Sequence, residues 1–276
     1  MRMIAIKDLC QLPEAAFVGE VARGIKHLYR HGMRLFSEAD TIHERAPRAH
    51  KIIEAVASEE YAKILILVDA LRISRAEGDV RARQLGYFND HLAKGIYVQY
   101  CWTRPASFKE VREFVERERP EFYRDGPNDY DWVFRNEILR RREQEMYVDY
   151  VETEEDHAWW TPERVSPVEG IPRLPPMRPA IRRLVEALET VGMLQEPALG
   201  EVRRYWQDVS IEDATQWQDI REHNQHTLGI LMDKGLVRDQ SFCERVVNRW
   251  PFPLYTLELS LVKNHPRDLP TAWVEW

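Results

Sequence analysis

Residues 51–72 read KIIEAVASEEYAKILILVDALR, and this stretch decides the fold. Its apolar residues recur at helical spacing and form one stripe, made of Ile53, Val56, Ala57, Ile64, Leu67, Val68 and Leu71. Glu60 lies at the centre of the stripe, Lys63 at its edge and Glu59 on its flank. An unpaired charge in the interior is costly, so we expect a cation of another helix to pair with Glu60, or its carboxyl to be held neutral. The stretch therefore predicts a buried helix whose charge serves a structural ion pair or a functional site.

The composition describes an ordinary soluble protein. The chain has 276 residues, enough for one large or two modest domains. Charged residues make up 31% of it and its net charge is −7, which is not typical of a nucleic-acid-binding protein. A local basic run, Arg140, Arg141 and Arg142, can hold phosphates or can be a solvated helix face. Composition alone therefore assigns no partner.

Several common kinds of site are not indicated. The three cysteines, Cys10, Cys101 and Cys243, are far apart and form no CxxC pair, so neither a disulfide framework nor a zinc site is expected. The sequence has no GxSxG, P-loop, GxGxxG or HExxH motif, and its nine histidines do not cluster at metal-ligand spacing. We therefore expect no metal and no cofactor. His157 lies beside an acidic run, which is more typical of a solvated turn than of a metal site.

The N-terminus and the hydropathy pattern bear on location. The first residues, MRMIAIKDLC, lack a long apolar segment followed by a small-residue cleavage site. No run approaches 18 consecutive apolar residues. These features predict a cytoplasmic protein that does not span a membrane.

Periodicity and breakers predict a mainly helical chain. Five helices are expected in the first half, at residues 13–46, 47–77, 79–102, 107–119 and 128–145. Ser107 with Glu110 forms a capping-box pattern at the start of the fourth. The patterns at residues 146–151 and 157–162 predict a strand pair, and residues 161–179 hold six prolines, which excludes a helix or a central strand there. Further helices are expected at 180–191, 211–235 and 242–250, and a strand at 255–262 that pairs with 272–276.

One face of the third predicted helix carries ionisable groups. Tyr87, His91, Lys94 and Val98 follow each other at spacings of four, three and four. Such spacing places an imidazole and an ammonium one helical turn apart. His91 and Lys94 are therefore candidate functional residues.

Four stretches together resemble the abortive-infection family AbiV, which belongs to the all-helical HEPN superfamily. They are ASEEYAKILILVDALR at 57–72, YFNDHLAKGIY at 87–97, REQEMYVDY at 142–150 and WWTP at 159–162. The resemblance covers roughly residues 14–162 and implies a mainly α fold, a HEPN-like helical bundle with a small β-hairpin insertion and a helical C-terminal extension. We accordingly expect a bundle at residues 1–162, a Pro-rich connector at 163–179 and a helical region at 180–276 packed on the bundle.

The resemblance also implies a function in antiviral defence. Many HEPN relatives form homodimers and cut RNA without a metal, using an Arg, then four to six intervening residues, then a His, together with an acidic residue of an earlier helix. Attack of a ribose 2′-hydroxyl on the adjacent phosphate needs a proton shuttle, for which His is suited, and cations for the developing charge. DNA lacks that hydroxyl, so RNA and not DNA is the expected substrate.

The chain departs from the Arg–His pattern of those relatives. It has two matches, Arg45 with His50 and Arg221 with His226, and about three are expected by chance. Residues five apart in a continuous helix point about 140° apart. Arg221 and His226 are therefore only an alternative catalytic pair. For His91 the nearest preceding Arg is Arg83, too distant for the motif.

The candidate site is a composite of two helices. Glu60 and Lys63 of the second helix are expected to face His91 and Lys94 of the third, while Glu59 or Glu60 orients an imidazole or a cation. We expect RNA contacts from Arg83, Arg140 and Arg141. A structural interpretation, in which Glu60 is tied to a buried cation, stays open beside it.

Three functions remain open at this point. The first is a defence endoribonuclease that acts without a metal. The second is a non-catalytic HEPN-like protein that senses or sequesters a phage or host factor. The third is a nucleotide-binding adaptor without chemistry. RNA or a phage or host protein is thus the expected partner, beside a second copy of the chain in a homodimer.

Overall fold

A computed structural model describes residues 5–77, 80–125, 131–134, 136–152, 157–162 and 177–264. Within these ranges the chain is mainly α-helical, as the sequence predicts. The helices are α1 (Glu14–Ile42), α2 (Pro47–Leu71), α3 (Arg81–Gly86), α4 (His91–Tyr100), α5 (Phe108–Glu118), α6 (Glu137–Met146), α7 (Ala180–Val191), α8 (Glu196–Trp206), α9 (Trp217–Asp233) and α10 (Cys243–Arg249). No helix of the described ranges is long and apolar enough to cross a lipid bilayer.

Helix α2 is the centre of the bundle. It packs against α1 along most of its length and also contacts α4, α6, α7 and α8. Every residue of 64–71 is buried, so its second half is covered on all sides and not along one stripe as the periodicity predicts. Gly32 of α1 allows the closest approach, because a Cβ there would overlap the Tyr61 ring. The second half of the stretch that predicts the fold is therefore enclosed by its neighbours.

The predicted third helix is two helices. Residues 87–89 form a 3-10 turn between α3 and α4, and the Asp90 carboxylate accepts a hydrogen bond from the Ala93 N–H at 3.0 Å. This cap begins α4 at His91. Tyr87 is buried and its hydroxyl contacts Glu258, so it does not share a face with His91 as expected. The break sets the direction in which His91 and Lys94 project.

The elements after α4 confirm some predictions and correct others. The predicted cap of α5 is confirmed, since Ser107 Oγ accepts from the Glu110 N–H, but the capping box is not closed, because the Glu110 carboxylate accepts from the Ala106 N–H, one residue before the cap. Helix α6 begins at Glu137 and not at residue 128, because the Asn136 side chain caps it. Part of the range predicted as helix is instead β2 (Asp131–Phe134), which pairs antiparallel with β1 (Phe122–Asp125). The predicted strand pair is confirmed as β3 (Asp149–Glu152) with β4 (His157–Trp160).

The C-terminal region is helical as far as α10. Helix α8 is absent from the prediction, and the helix expected at 211–235 begins only at Trp217, with a capping box between Gln216 and Asp219. The strand predicted at 255–262 is wrong, since this segment is irregular apart from a single bridge between Val262 and Pro120. The alternation of apolar and polar residues in this segment reflects burial of Tyr255, Leu257 and Leu259 against the bundle, without a strand partner. Residues 163–176 and 272–276 lie outside the described residues.

Side chains from both halves of the chain form one cluster of buried residues. A fully buried ion pair lies within it, with Arg72 Nη1 3.3 Å from Asp69 Oδ1. Asp69 also accepts hydrogen bonds from the Tyr97 hydroxyl at 2.7 Å and the Leu254 N–H at 2.9 Å. The Arg72 guanidinium lies 3.9 Å from the Trp206 ring and 4.3 Å from the Trp250 ring. A charge of α2 is thus enclosed by aromatic residues of α8 and of the segment after α10.

Candidate functional site

Four ionisable side chains from three helices meet at one point on the bundle, which we call the Glu59 cluster. Glu59 of α2 accepts hydrogen bonds from Lys94 Nζ at 2.8 Å and from Arg142 Nε at 2.7 Å. His91 Nδ1 lies 2.9 Å from Glu59 Oε2. Lys94 and His91 come from the first turn of α4, and Arg142 comes from α6. Glu59 thus joins α2, α4 and α6.

Local sequence explains why these groups converge. The Asp90 cap begins α4 at His91, so His91 and Lys94, three residues apart, project from the same side of the helix. Gly95 follows Lys94 directly, and a Cβ at this position would overlap Ile138 Cγ2. The missing side chain therefore lets α6 approach α4 closely. Arg142 lies four residues after Ile138 on the same face of α6, which aims it at Glu59.

The charge of Glu59 is stabilised by its neighbours. Burial acts to raise the pKa of Glu59, but the hydrogen bonds and charges of Lys94 and Arg142 outweigh it, and the pKa is lowered from its ordinary value. Glu59 is therefore ionised at neutral pH. One carboxylate faces two cations, which leaves the cluster with an excess of positive charge while His91 is neutral.

The position of Glu59 also fixes the orientation of His91. An ionised carboxylate only accepts hydrogen bonds, so His91 Nδ1 must carry a hydrogen to lie 2.9 Å from Oε2. The 3.2 Å approach of Lys94 Nζ to the same nitrogen is then a contact and not a second hydrogen bond. Nε2 has no hydrogen-bond partner among the described residues, and the His91 side chain is 47% exposed. In the neutral ring, Nε2 is therefore the nitrogen able to accept a proton.

The family model described as AbiV, of the HEPN group, matches residues 20–173, which is more than half of the chain. The chain belongs to the AbiV family. The matched part includes all four residues of the Glu59 cluster, and membership links the protein to abortive infection and to HEPN-type function. No curated protein and no solved structure matches the chain.

In this AbiV protein the predicted roles of Glu60 and Lys63 need correction. Lys63 Nζ donates to Glu60 Oε1 at 2.5 Å, so the two residues pair with each other and not with His91 or Lys94. The Lys63 ammonium also lies 5.2 Å from the centre of the Phe88 ring. Successive residues of an α-helix are rotated by about 100°. Glu59 and Glu60 therefore point in different directions, and the carboxylate that faces α4 is that of Glu59. The cation that compensates Glu60 comes from the same helix and not from another one as expected.

The arginines predicted to bind RNA also have internal partners. Arg83 Nη2 donates to the Tyr255 carbonyl at 2.9 Å, so it joins α3 to the C-terminal segment. Arg140 and Arg141 both donate to Glu137, one turn earlier on α6. The third residue of the run, Arg142, is the one in the cluster. The sequence offered a signal for it, because Arg142 opens the AbiV-like stretch REQEMYVDY.

The two Arg–His pairs lie in different surroundings. His50 is buried and its Nδ1 lies 2.9 Å from the Ala39 carbonyl oxygen, so it serves the packing of α1 on α2. Arg221 donates to Gln218, and the His226 ring packs 4.7 Å from the Tyr205 ring. Both Arg221 and His226 line a groove of roughly 770 Å³ between α9 and α10, without a hydrogen bond between them. The described residues contain no group of His, Cys, Asp and Glu that is able to hold a metal.

Proposed function

We propose that this AbiV-family protein is a metal-independent endoribonuclease of phage defence and that the Glu59 cluster is its active site. The observation that carries the proposal is the pairing of His91 Nδ1 with an ionised carboxylate while Nε2 has no described partner. A carboxylate that orients a histidine and stabilises its protonated form is a recurring element of acid–base catalysis. The family match supports a HEPN-type function.

The reaction follows from the groups present. His91 Nε2 takes the proton of a ribose 2′-hydroxyl, and the 2′ oxygen attacks the adjacent phosphorus. A bond from phosphorus to the 2′ oxygen forms while the bond to the 5′ oxygen of the next nucleotide breaks. The leaving 5′ oxygen takes a proton from water, His91 later releases its proton to the solvent, and the products are a 2′,3′-cyclic phosphate and a 5′-hydroxyl. Glu59 stabilises the imidazolium formed in the first step.

The two cations have a role in the same step. Lys94 is 6% exposed and Arg142 is partly buried, so their charges are screened less than those of surface residues. Their excess over the single carboxylate favours an anionic ligand. When the phosphate oxygens gain charge, the remaining N–H groups of Lys94 and Arg142 are suitable donors to them.

The experiment is cleavage of total RNA by purified protein in the presence of EDTA. We expect cleavage by the natural chain and a loss of about 100-fold or more in His91→Ala, the scale of general acid–base catalysis. His27→Ala is the matched control, because His27 is an exposed histidine of α1. A labelled oligonucleotide with one 2′-deoxy position should resist cleavage at that position only. Equal cleavage by natural and His91→Ala protein, or cleavage at the 2′-deoxy position, would contradict the mechanism.

A second candidate is a non-catalytic protein that senses or sequesters a phage or host factor. It is favoured by one observation, that both cations of the cluster already donate to Glu59, as in a structural tie between helices. Phage challenge of cells that express the chain separates the two. Protection that persists in His91→Ala supports this candidate, whereas protection lost in His91→Ala and kept in His27→Ala supports the enzyme.

The expected homodimer is part of the proposal. HEPN sites commonly form across a two-fold axis, and a second His91 would then be available to protonate the leaving oxygen. Light scattering of the purified protein measures the mass directly. A strictly monomeric chain that still cleaves RNA would require all steps to occur within one Glu59 cluster.

A further inference from the structure

Four arginines lie on neighbouring elements at the side of the molecule formed by α7 and α10, and we call them the arginine patch. Arg245 and Arg249 are four residues apart on α10 and therefore share a face. Arg183 lies on α7, which packs against both α10 and α4. Its guanidinium is 5.3 Å from the ring centre of Trp102. Arg104, two residues after Trp102, is the fourth member of the patch.

The patch has no acidic partner in the part of the chain that the structure describes. None of its four guanidinium groups forms an ion pair or a hydrogen bond with another described residue, whereas exposed arginines such as Arg117 and Arg204 pair with a glutamate. The chain as a whole has 46 acidic and 39 basic residues, so unpaired cations at one place are not a consequence of composition. Like charges at close range are unfavourable unless an anion compensates them.

The like charges also affect each other. The pKa of Arg249 is lowered, first by burial and then by the charges of Arg104, Arg183 and Arg245. All three neighbours are thus close enough to repel it. The packing of α7, α10 and the end of α4 places the four guanidinium groups on one surface. Their mutual repulsion supports this placement.

An aromatic ring accompanies the cations. Trp102 is 45% exposed, although Arg183 lies over its ring. Arginines beside an exposed aromatic ring are the combination that binds single-stranded nucleic acid, with the cations at phosphates and the ring stacked on a base. An acidic protein would use the charges but would leave the ring without a specific role.

We propose that the arginine patch binds the phosphodiester backbone of single-stranded nucleic acid and that Trp102 stacks on one of its bases. The patch is separate from the Glu59 cluster, because His91 begins α4 and Trp102 follows its end, about 15 Å further along the helix axis. Binding at the arginine patch does not depend on cleavage at the Glu59 cluster. The patch discriminates neither between base sequences nor between RNA and DNA.

The test measures binding of a short labelled single-stranded RNA by fluorescence anisotropy at increasing salt, in the His91→Ala background so that cleavage cannot interfere. For the Arg104→Gln/Arg249→Gln double variant we expect at least 10-fold weaker binding at low salt. The slope of log K against log salt should fall by about 1.4, since each single-strand phosphate contact contributes about 0.7. Arg117→Gln/Arg204→Gln is the matched control, with the same loss of net charge from paired arginines.

Two further measurements test the role of Trp102 and the kind of nucleic acid that binds. Trp102→Leu keeps every charge, so it should weaken binding about 10-fold with an unchanged salt slope. Single-stranded DNA of the same sequence should bind as tightly as RNA, and duplex RNA more weakly. Thermal unfolding checks the fold, and we expect no fall in Tm for the arginine double variant because it loses repulsion. The proposal is overturned if neither nucleic acid binds, or if the control pair loses as much affinity as the patch pair.

Discussion

Replacing Glu59 by Gln tests the site through stability and activity together. Gln has nearly the shape of Glu, but it carries no charge and one of its two terminal groups donates instead of accepting. Three donors now approach Glu59, at 2.7, 2.8 and 2.9 Å. In Glu59→Gln, Lys94 would remain 6% exposed without its countercharge. Breaking a buried ion pair costs about 3–5 kcal/mol, and we expect about 3 kcal/mol because Glu59 itself is 15% exposed.

The loss should depend on pH in a defined direction. The pKa of Glu59 is lowered in the folded state, so the folded chain binds a proton at this group less readily than the unfolded chain. The stabilisation is therefore complete above the unfolded value of about 4.3 and is lost as the pH falls through the folded value. The difference between natural and Glu59→Gln protein should therefore shrink below about pH 4.

Urea unfolding at neutral and acidic pH measures this difference. Glu137→Gln is the control, because the pKa of Glu137 is also lowered but its partners, Arg140 and Arg141, lie on the surface of α6. We expect less than about 1 kcal/mol there. If Glu59→Gln costs no more than the control, or if its effect is the same at pH 7 and below pH 4, the electrostatic description of the cluster is wrong. In the RNA assay, a positioning role predicts a lower kcat with little change in KM.

Two more substitutions test how the fold supports the site. Arg72→Met removes the buried partner of Asp69 and should lower the free energy of unfolding by about 4 kcal/mol, with a fall in Tm of about 8–16 °C by calorimetry; a loss below about 1 kcal/mol would mean that the pair contributes little. Gly95→Ala would force α6 away from α4 at Ile138 and should cost about 1–3 kcal/mol and reduce RNA cleavage. Gly229→Ala, where a Cβ meets open space, should cost nothing, and equal behaviour of the two glycine variants would contradict this packing argument.

The sequence predicts the central helix and the chemical character of the site, but not which carboxylate faces α4. Glu59 and Glu60 are neighbours, and the apolar stripe alone favours Glu60. The packing of α4 decides the matter, because it covers the side of α2 on which Glu59 projects. Likewise, three consecutive arginines at 140–142 are equivalent in sequence, and only the approach of α6 at Gly95 selects Arg142.

For two other incorrect helix predictions the sequence contains a local signal of the observed structure, but the helical periodicity around it is stronger. Asp90 immediately precedes His91 and is a favoured N-cap residue, so the break between α3 and α4 can be inferred from sequence. A Gly-Pro-Asn run at 126–128, between aromatic residues, is a turn signal, and it favours the hairpin of β1 and β2 over the predicted helix. No local signal separates the irregular segment at 255–262 from a strand, since its alternation comes from burial against the bundle.

The enclosure of Arg72 has a consequence for shortened or recombined chains. The part that matches the AbiV family ends at residue 173, but Trp206, Trp250 and the Leu254 N–H, which cover the Arg72–Asp69 pair, all lie beyond it. A polypeptide truncated near residue 176 would expose this pair and the apolar surface around it, and we expect it to aggregate. A chimera between relatives would need its C-terminal region chosen together with the residues at positions 69 and 72.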